Sequence, residues 1–497
     1  GPLTVAGFNV RENGTDAEGN VLVHEVRAGQ VVHDPAQTLQ SGYGNMNRSG
    51  YSLQTRSGVN AIGTLNVDLG FITKGLNAKG LVSFESRSNN ITSALKGFVT
   101  YTYERHPSGL DEPIYTFDGD NEEDDQLSLG RSTSSNWFLN MQMQLNYNRT
   151  FNEKHDVTAM VLFQRDLREA DGGDIPYNMV GLSVRGTYAF DSRYLMEVNM
   201  GYNGTEQFAP SKRFGFFPAF SLGWVISNEA FMANLRENGI ISKLKLRASV
   251  GKVGNDGLGG TRFLYLDNIS YHVDVNHIIS LGNGGKISEK MLGNKNIHWE
   301  TAWKQNYAID LTLLKDLDLT FDYFIENRTD ILIARKTVPV IAGLTQSQLP
   351  RVNMGEINNK GFEVALSYKK YFTQHLSANI SGNFSYTKNK VISADEAMLA
   401  KDYAYRYRDT GFSLGQNWGY VIDRSVDLEH GKDGSGFFNT NDDVAKSGLL
   451  YETGGGMPRP GDFIYKDLNG DNIINEKDMA PIKYSSLVPR INYGFSV

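Results

Sequence analysis

The run with the clearest chemical meaning is Asp467-Leu468-Asn469-Gly470-Asp471-Asn472-Ile473-Ile474-Asn475-Glu476-Lys477-Asp478. With Asp467 as position 1, side-chain oxygens fall at positions 1, 3, 5 and 12, and the Ile473 carbonyl at 7. An EF-hand loop uses this spacing to surround a hard cation with oxygens. Asp478 stands where an EF-hand has Glu, as in dockerin-like loops. Position 6, which needs a positive φ, is Asn472, the most tolerant residue after glycine. The expected ion is Ca2+, held by Asp467, Asn469, Asp471, Ile473 and Asp478 in a structural role. A solvated Asp/Asn turn is the alternative. Tyr403, Tyr405, Tyr407 and Trp418 form an aromatic cluster nearby. Such rings stack on sugar faces or apolar ligands, so these four are the candidate substrate contacts, with loop packing or interface anchoring as the alternative.

The remaining candidates are weaker. Asp118-Gly-Asp120-Asn-Glu122-Glu123-Asp124-Asp125 is acidic enough to hold divalent cations near lipopolysaccharide, but reads first as a solvated loop. His272 and His277 have metal-ligand spacing and read as loop surface. Gly254-Asn-Asp-Gly257-Leu-Gly259-Gly260 has no strand–helix context, so it reads as a flexible tip. No motif supports nucleophilic or acid–base catalysis or an organic cofactor, so an enzyme is not expected.

The elements that position these residues are strands. In Trp137–Tyr147 the odd positions are Trp137, Leu139, Met141, Met143, Leu145 and Tyr147, with Asn140, Gln142, Gln144 and Asn146 between them. Val180, Leu182, Val184, Tyr188 and Phe190 alternate in the same way, as do Tyr194, Met196, Val198, Met200 and Tyr202. The pattern returns at Leu244–Val250, Leu317–Ile325, Phe362–Tyr368 and Leu376–Tyr386. Period two scatters apolar residues around a helix but collects them on one face of a strand. The opposite face is Asn, Gln, Ser, Thr and Gly, which suits a wet lumen. About 14–16 strands are expected from these pattern rules. Tight gaps at 151–155, 190–194, 314–317 and 370–374 alternate with long polar ones at 105–135, 253–298, 335–358 and 388–460. Short turns at one rim and long loops at the other is the asymmetry of outer-membrane barrels. One short helix is expected near Ser227–Met232.

Composition agrees. The 497 residues carry a net charge of −7, no cysteine, 52 glycines and 11% aromatics. A mildly acidic chain has no electrostatic grip on nucleic acid. Without cysteine there is no disulfide, thiolate zinc site or thiol nucleophile. No apolar run reaches the ~18 residues of a helical membrane span, a test that a β-barrel evades because only alternate residues face lipid. Gly1-Pro2-Leu3-Thr4 is not a signal peptide. Ile491–Val497 reads as a strand, and the chain is expected to be an internal piece of a longer protein.

Several stretches, in order, resemble the SusC/RagA class of TonB-dependent outer-membrane transporters of Bacteroidota. They include Phe71-Ile-Thr-Lys-Gly75-Leu76, Phe216–Met232 (FFPAFSLGWVISNEAFM), Leu244–Gly251, Asn296–Thr301 and Asp322–Leu332. Gly355–Glu363, Pro460-Gly461-Asp462 leading into Asp467, and Pro489–Ser496 complete the series, which covers roughly 60–497. The resemblance implies an all-β fold: a large antiparallel transmembrane β-barrel of about 22 strands with long extracellular loops. Residues 1–497 would be a partial barrel without the plug domain and the last strands, and 388–488 a long loop region carrying the 467–478 loop. The implied function is an outer-membrane nutrient importer for oligosaccharides or peptides. Its partners would be a SusD-like surface lipoprotein, TonB through a segment outside this chain, and lipid or lipopolysaccharide. A passive porin, a barrel-anchored glycan-binding adhesin and a soluble glycan-binding protein are the competing readings.

Overall fold

The computed structural model describes residues 8–15, 21–26, 31–33, 42–104, 114–118, 125–169, 175–258, 261–272, 286–338, 341, 343–345, 347–374, 376–397, 399–403, 405, 408–425, 434, 436–452, 456–485 and 489–497. In chain order the elements begin β1 (Phe8–Thr15), β2 (Val21–Val26), β3 (Val31–His33), α1 (Gly42–Asn47), β4 (Gly50–Asp68) and β5 (Leu76–Leu95). Next come β6 (Thr100–Glu104), β7 (Ile114–Asp118), β8 (Ser128–Phe151), β9 (His155–Glu169), β10 (Tyr177–Phe190), β11 (Tyr194–Thr205) and β12 (Phe214–Val225). After these are α2 (Ala233–Glu237), β13 (Ile241–Asn255), β14 (Asn268–His272), β15 (Lys286–Met291), β16 (Glu300–Leu313), β17 (Leu317–Ile333), β18 (Val352–Tyr371) and β19 (Ser377–Ser393). Last are β20 (Gln416–Gly419), α3 (Asn441–Ser447), β21 (Leu450–Tyr451), β22 (Ile473–Ile474), β23 (Ala480–Ser485) and β24 (Ile491–Ser496).

The chain forms two compact units. Residues 1–63, 82–140 and 167–176 make the first, and 64–81, 141–166 and 177–497 the second. The first contains a five-stranded sheet in the order β2-β1-β7-β6-β3. Its β1·β7 and β3·β6 pairs are parallel. Val31, Val32, Val99, Tyr101 and Tyr115 are buried in this unit. Gly44 of α1 lies so close to the Phe98 ring that a Cβ there would overlap it.

The second unit carries lengths of all strands of a 13-stranded sheet ordered β24-β19-β18-β17-β16-β13-β12-β11-β10-β9-β8-β5-β4. Register makes it two-faced. Tyr188, Met196, Leu222 and Ala248 lie opposite one another across β10–β13. Trp224, Leu246, Ile309, Phe321, Val364, Phe384 and Tyr493 make a parallel row across β12–β24. Met196, Leu222, Leu246, Ile309 and Phe321 are all more than one-third exposed, so the apolar row faces outward. Solvent-exposed apolar rows of this extent are stable only against lipid or a partner. In phase on the opposite face, Arg247 bridges Asp310 and Asp322 at 3.3 and 2.9 Å, and Arg185 meets Glu197 at 2.9 Å.

The tight turns need left-handed backbone at non-glycine residues: Asn152 and Glu153 (φ 50 and 58), Asp191 and Ser192 (50 and 53), Leu314 and Lys315 (50 and 65). Paired positive φ values make the primed turns whose twist matches that of the strands. Rings gather at this rim: Phe190, Tyr194 and Trp224 stack in series with centroids 6.4 and 6.5 Å apart. Tyr202 stacks on Phe214 at 5.0 Å toward the opposite end of the same strands.

The structure departs from the sequence expectations in three ways. Among the described residues there are 24 strands rather than 14–16, because short strands without a long periodic signal lie outside the wide sheet: β1–β3 ahead of β4, and β6, β7, β14, β15 and β20–β23 within its connections. The strands also outrun their apolar alternation. β8 has 24 residues and β18 has 20, and the gaps expected at 105–135, 253–298, 335–358 and 388–460 begin or end inside β8, β13, β18 and β19. The helix expected at Ser227–Met232 is two 3₁₀ turns, Ile226–Asn228 and Ala230–Met232, leading into α2. Neither turn has a side-chain cap, and Glu229 instead accepts hydrogen bonds from Arg193 and Trp224, both at 3.0 Å.

Met200 lies on the outward face between Val184 and Pro218. Met200→Arg should lower stability by about 2–4 kcal/mol, whereas Ser221→Arg, on the polar face beside Glu197, should cost less than about 1 kcal/mol. Urea titration of the protein folded into lipid vesicles measures both.

Candidate functional site

The connection between β19 and β24 is where the sequence places its chemistry. The expected loop region 388–488 starts inside β19, which runs to Ser393, and beyond β19 the chain folds into a packed module. Phe438, Val444, Tyr451, Ile464 and Ile474 form its buried core, with Tyr420, Leu449 and Tyr465 against it. β20 pairs with β23 antiparallel, and β21 with β22 in parallel. At the start of α3 the Thr440 hydroxyl accepts from the Asp443 amide at 3.1 Å, and the fully buried Asp443 carboxylate accepts from Thr440 N–H at 3.0 Å. This is a capping box, closed at the far end by Gly448 at φ 66. The Tyr451 hydroxyl donates to the Phe463 carbonyl at 2.6 Å, pinning the segment before the 467–478 loop.

The loop is tightly turned. Asp467 accepts from Gly470 N–H (2.7 Å) through one oxygen and Asn472 N–H (2.8 Å) through the other. Asn469 accepts from Asp471 N–H (3.1 Å), and Asp471 from Ile473 N–H (2.8 Å). Asp478, with no exposed surface, accepts from Leu468 N–H (2.8 Å) and Asn475 N–H (3.0 Å). Asn472 has φ 59, as its place in the turn requires. Leu450 and Glu452 donate to the carbonyls of Asn472 and Ile474, which turns the Ile473 carbonyl between them the other way.

This arrangement fits a hard cation in donor type: three carboxylates, one amide oxygen and one carbonyl. The carboxylate oxygens each accept one hydrogen bond within the loop and keep a second lone pair. The three acids are not drawn into one cage, and among the described residues no three His, Cys, Asp or Glu side chains gather in metal-holding reach. The Asn469 side-chain amide donates to Asp471 at 2.9 Å, an ordering that a cation would displace.

The aromatic residues divide. Tyr405 and Trp418 meet edge-to-face at 6.4 Å, and Phe412, which has no sequence signature, meets Trp418 at 4.8 Å. Tyr403 points elsewhere: its hydroxyl donates to Glu476 at 2.5 Å, and next to it Lys477 pairs with Asp402 at 2.5 Å. These two bonds clip the aromatic segment to the end of the 467–478 loop, a link that spacing alone does not reveal. The Glu476 hydrogen bond raises the Tyr403 phenol above its usual value. Tyr407, His277 and residues 119–124 of the acidic run lie outside the described residues.

A second small core, Phe208, Leu258, Leu264, Ile297 and Trp299, anchors the β11–β12 and β13–β16 connections. The Trp299 indole donates to the Arg213 carbonyl at 2.9 Å.

A two-faced antiparallel sheet with tight primed turns and folded long connections is the architecture of an outer-membrane β-barrel. Residues 8–471 match the family described as TonB dependent receptor-like, beta-barrel, and the chain belongs to that family, whose members are outer-membrane proteins. TonB-dependent receptor P39 of Formosa agariphila is 30% identical over 317 residues, covering 57% of this chain and 29% of that protein. TonB-dependent receptor SusC of Bacteroides thetaiotaomicron is 28% identical over 230 residues, covering 45% and 22%. Among solved structures, the RagAB peptide importer in the 'closed-closed' state has a TM-score of 0.64 and 15% identity over 95% of this chain and 49% of that one, a likeness of fold. The chain thus spans under a third of these curated relatives and about half of that solved chain.

Asp395, just past β19, latches this region to the β17–β18 connection. It is 9% exposed and accepts from the Lys336 amide (2.6 Å), the Thr337 amide (3.3 Å) and the Thr337 hydroxyl (2.5 Å). Burial pushes its carboxyl up, but these donors and the Arg335 charge together outweigh burial and hold it below the usual carboxylate range. A depressed carboxyl contributes stability above its unfolded value, about pH 4, and loses it as pH falls through its folded value. Protection of the Lys336 and Thr337 amides from hydrogen exchange, taken relative to the intrinsic rate at each pH, should therefore be high at neutral pH and fall below about pH 4. In Asp395→Asn it should be low at both.

Proposed function

We propose that the protein imports a large nutrient, an oligosaccharide or a peptide, across the outer membrane, energised through TonB and partnered by a SusD-like surface lipoprotein. No covalent chemistry takes part, and neither nucleic acid nor an organic cofactor is needed. The observation that carries the reading is family membership over 8–471, coupled to a wide sheet with one apolar and one charged, hydrogen-bonding face. The fold likeness to the RagAB peptide importer supports the peptide class, and the oligosaccharide class rests on the sequence resemblance to the SusC/RagA class. In this reading Tyr405 and Trp418, with Phe412, offer ring faces and edges to passing cargo, and the Tyr403–Glu476 and Asp402–Lys477 clip holds the segment in place.

We also infer that Ca2+ binds at Asp467, Asn469, Asp471, Asp478 and the Ile473 carbonyl, as a brace for the module rather than a reactant. What supports this is the oxygen-only donor set at EF-hand spacing and the left-handed Asn472.

Uptake by whole cells, with an oligosaccharide mixture and a peptide digest as probes, tests the transport reading. Import of one class should stop when TonB is removed, and TonB-independent passage would make the barrel a passive porin. Trp418→Ala should weaken cargo binding about tenfold, the loss of roughly one ring contact. For the cation, millimolar Ca2+ should raise the melting temperature of wild-type protein by several degrees, about 2–4 °C per kcal/mol of added stability. Asp467→Ala/Asp471→Ala should abolish the increase, and a wild type indifferent to Ca2+ would reject the site.

A further inference from the structure

The outward face of the wide sheet changes character along its strands. On β12 it runs from Trp224, beside the tight turns, to Phe214, beside the long connections. Ten residues of strand tilted by about 40° rise about 25 Å, the height of a barrel's apolar band. Phe214 therefore lies at the outer-leaflet boundary. At that boundary lysines join the rings. Lys252 pairs in register with Trp303, and Trp303 with Asn327. Asn327 lies opposite Asn358, and Asn358 opposite Lys390. One step nearer the bilayer centre, Ile325 lies opposite Lys360, and Lys360 opposite Lys388. All share the phase of the apolar rows. By contrast, arginines of the polar face are paired with carboxylates: Arg247 with Asp310 and Asp322, and Arg328 with Glu300 and Glu326.

A cavity of about 510 Å³ sits elsewhere, between β17 and β24 on the polar face. A different one, of about 480 Å³, opens at the outer boundary itself. Lys212 and Lys252 line it, with Phe214, Phe216 and Trp303. These three rings are 51%, 53% and 43% exposed. His298 and Asp330 close its far side, 3.6 Å apart, and Thr301 also donates to Asp330 at 3.3 Å. The acid is thus engaged on the wall, and neither lysine has a carboxylate partner among the described residues.

We propose that this cavity binds the phosphorylated headgroup of an outer-leaflet lipid, with Lys212 and Lys252 on phosphate and Phe214, Phe216 and Trp303 against the first methylenes of its acyl chains. A lysine ammonium at a membrane surface attracts anionic headgroups, and amphipathic rings at the same depth suit the acyl boundary. Lys360, Lys388 and Lys390 continue the basic belt along the neighbouring strands. The proposal rests on the membrane face of the sheet and not on the cargo reading.

The test is native mass spectrometry of the full-length protein in detergent, titrated with purified lipopolysaccharide, with its dephosphorylated form, and with lipopolysaccharide in excess inorganic phosphate. Wild-type protein should retain lipopolysaccharide, and Lys212→Gln/Lys252→Gln should bind about 30-fold more weakly. Lys154→Gln, at the opposite rim, should leave binding unchanged. The dephosphorylated lipid should bind wild type as weakly as lipopolysaccharide binds the double variant, and inorganic phosphate should not displace the lipid. Equal binding by the double variant, equal binding of dephosphorylated lipid, or full displacement by phosphate would each overturn the proposal. If the double variant does not fold, shown by loss of its heat-modifiable electrophoretic shift, the dephosphorylated-lipid arm on wild type decides alone. Cargo binding through Trp418 is unaffected by any of these results.

Discussion

A strand crossing a bilayer finds no water for its amides, so every N–H and C=O must pair with another strand. The wide antiparallel sheet answers that constraint, and most of the other features depend on it. Pairing imposes the two-residue repeat, and the repeat forces two surfaces of opposite chemistry onto one ladder. Tyr188, Met196, Leu222 and Ala248 are neighbours in space only because β10–β13 keep register over their length. A slip of one residue would bring Thr187, Glu197 and Ser221 to the lipid side. The primed turns guard against that slip. Asp191 and Ser192 join β10 to β11 with only three residues between Phe190 and Tyr194, leaving no slack for another pairing.

The long connections face the reverse problem. Outside the bilayer a connection has water for its backbone, but it must still order many residues against conformational entropy. Here that cost is offset by burial in small cores rather than by the sheet. Phe438, Val444, Ile464 and Ile474 collect one, and Phe208, Leu264, Ile297 and Trp299 another. A folded module can present a side chain at a fixed position, which a loose loop cannot. The clip at Tyr403 and Asp402 therefore matters for Tyr405, two residues further on. It fixes the side chains at 402 and 403 against the end of the 467–478 loop.

These two constraints explain what is legible in the sequence. Alternation at Leu376–Tyr386 or Tyr194–Tyr202 is a local signal repeated over a whole strand, so the sheet and its tight turns can be read directly. The module cannot. Phe438, Tyr451 and Ile474 converge from separate segments, with no period in the chain to announce it. The short β20–β23 strands are too brief to alternate, so the region reads as loop. The ends of β18 and β19 at Val352 and Ser393 lie beyond the alternation, because polar residues past the lipid band continue the ladder without the apolar pattern. The 467–478 loop is visible because its oxygens must be spaced along the chain itself. Phe412 and Glu476, which act through space on Trp418 and Tyr403, carry no such mark.

Charge pairing separates the two surfaces further than hydropathy does. On the polar face, guanidinium and carboxylate groups satisfy one another: Arg247 spans two strands to Asp310 and Asp322, and Arg328 holds Glu300 and Glu326. Groups so neutralised present many hydrogen-bonding atoms but little net field. At the outer edge of the lipid face the lysines in phase with Trp303 have no such carboxylates opposite them. Leaving cations unneutralised beside a low-dielectric layer is costly unless anions are supplied from outside. In the proposed lipid site the outer leaflet supplies them, so one ladder carries paired charges on its polar face and a basic collar at the edge of the other.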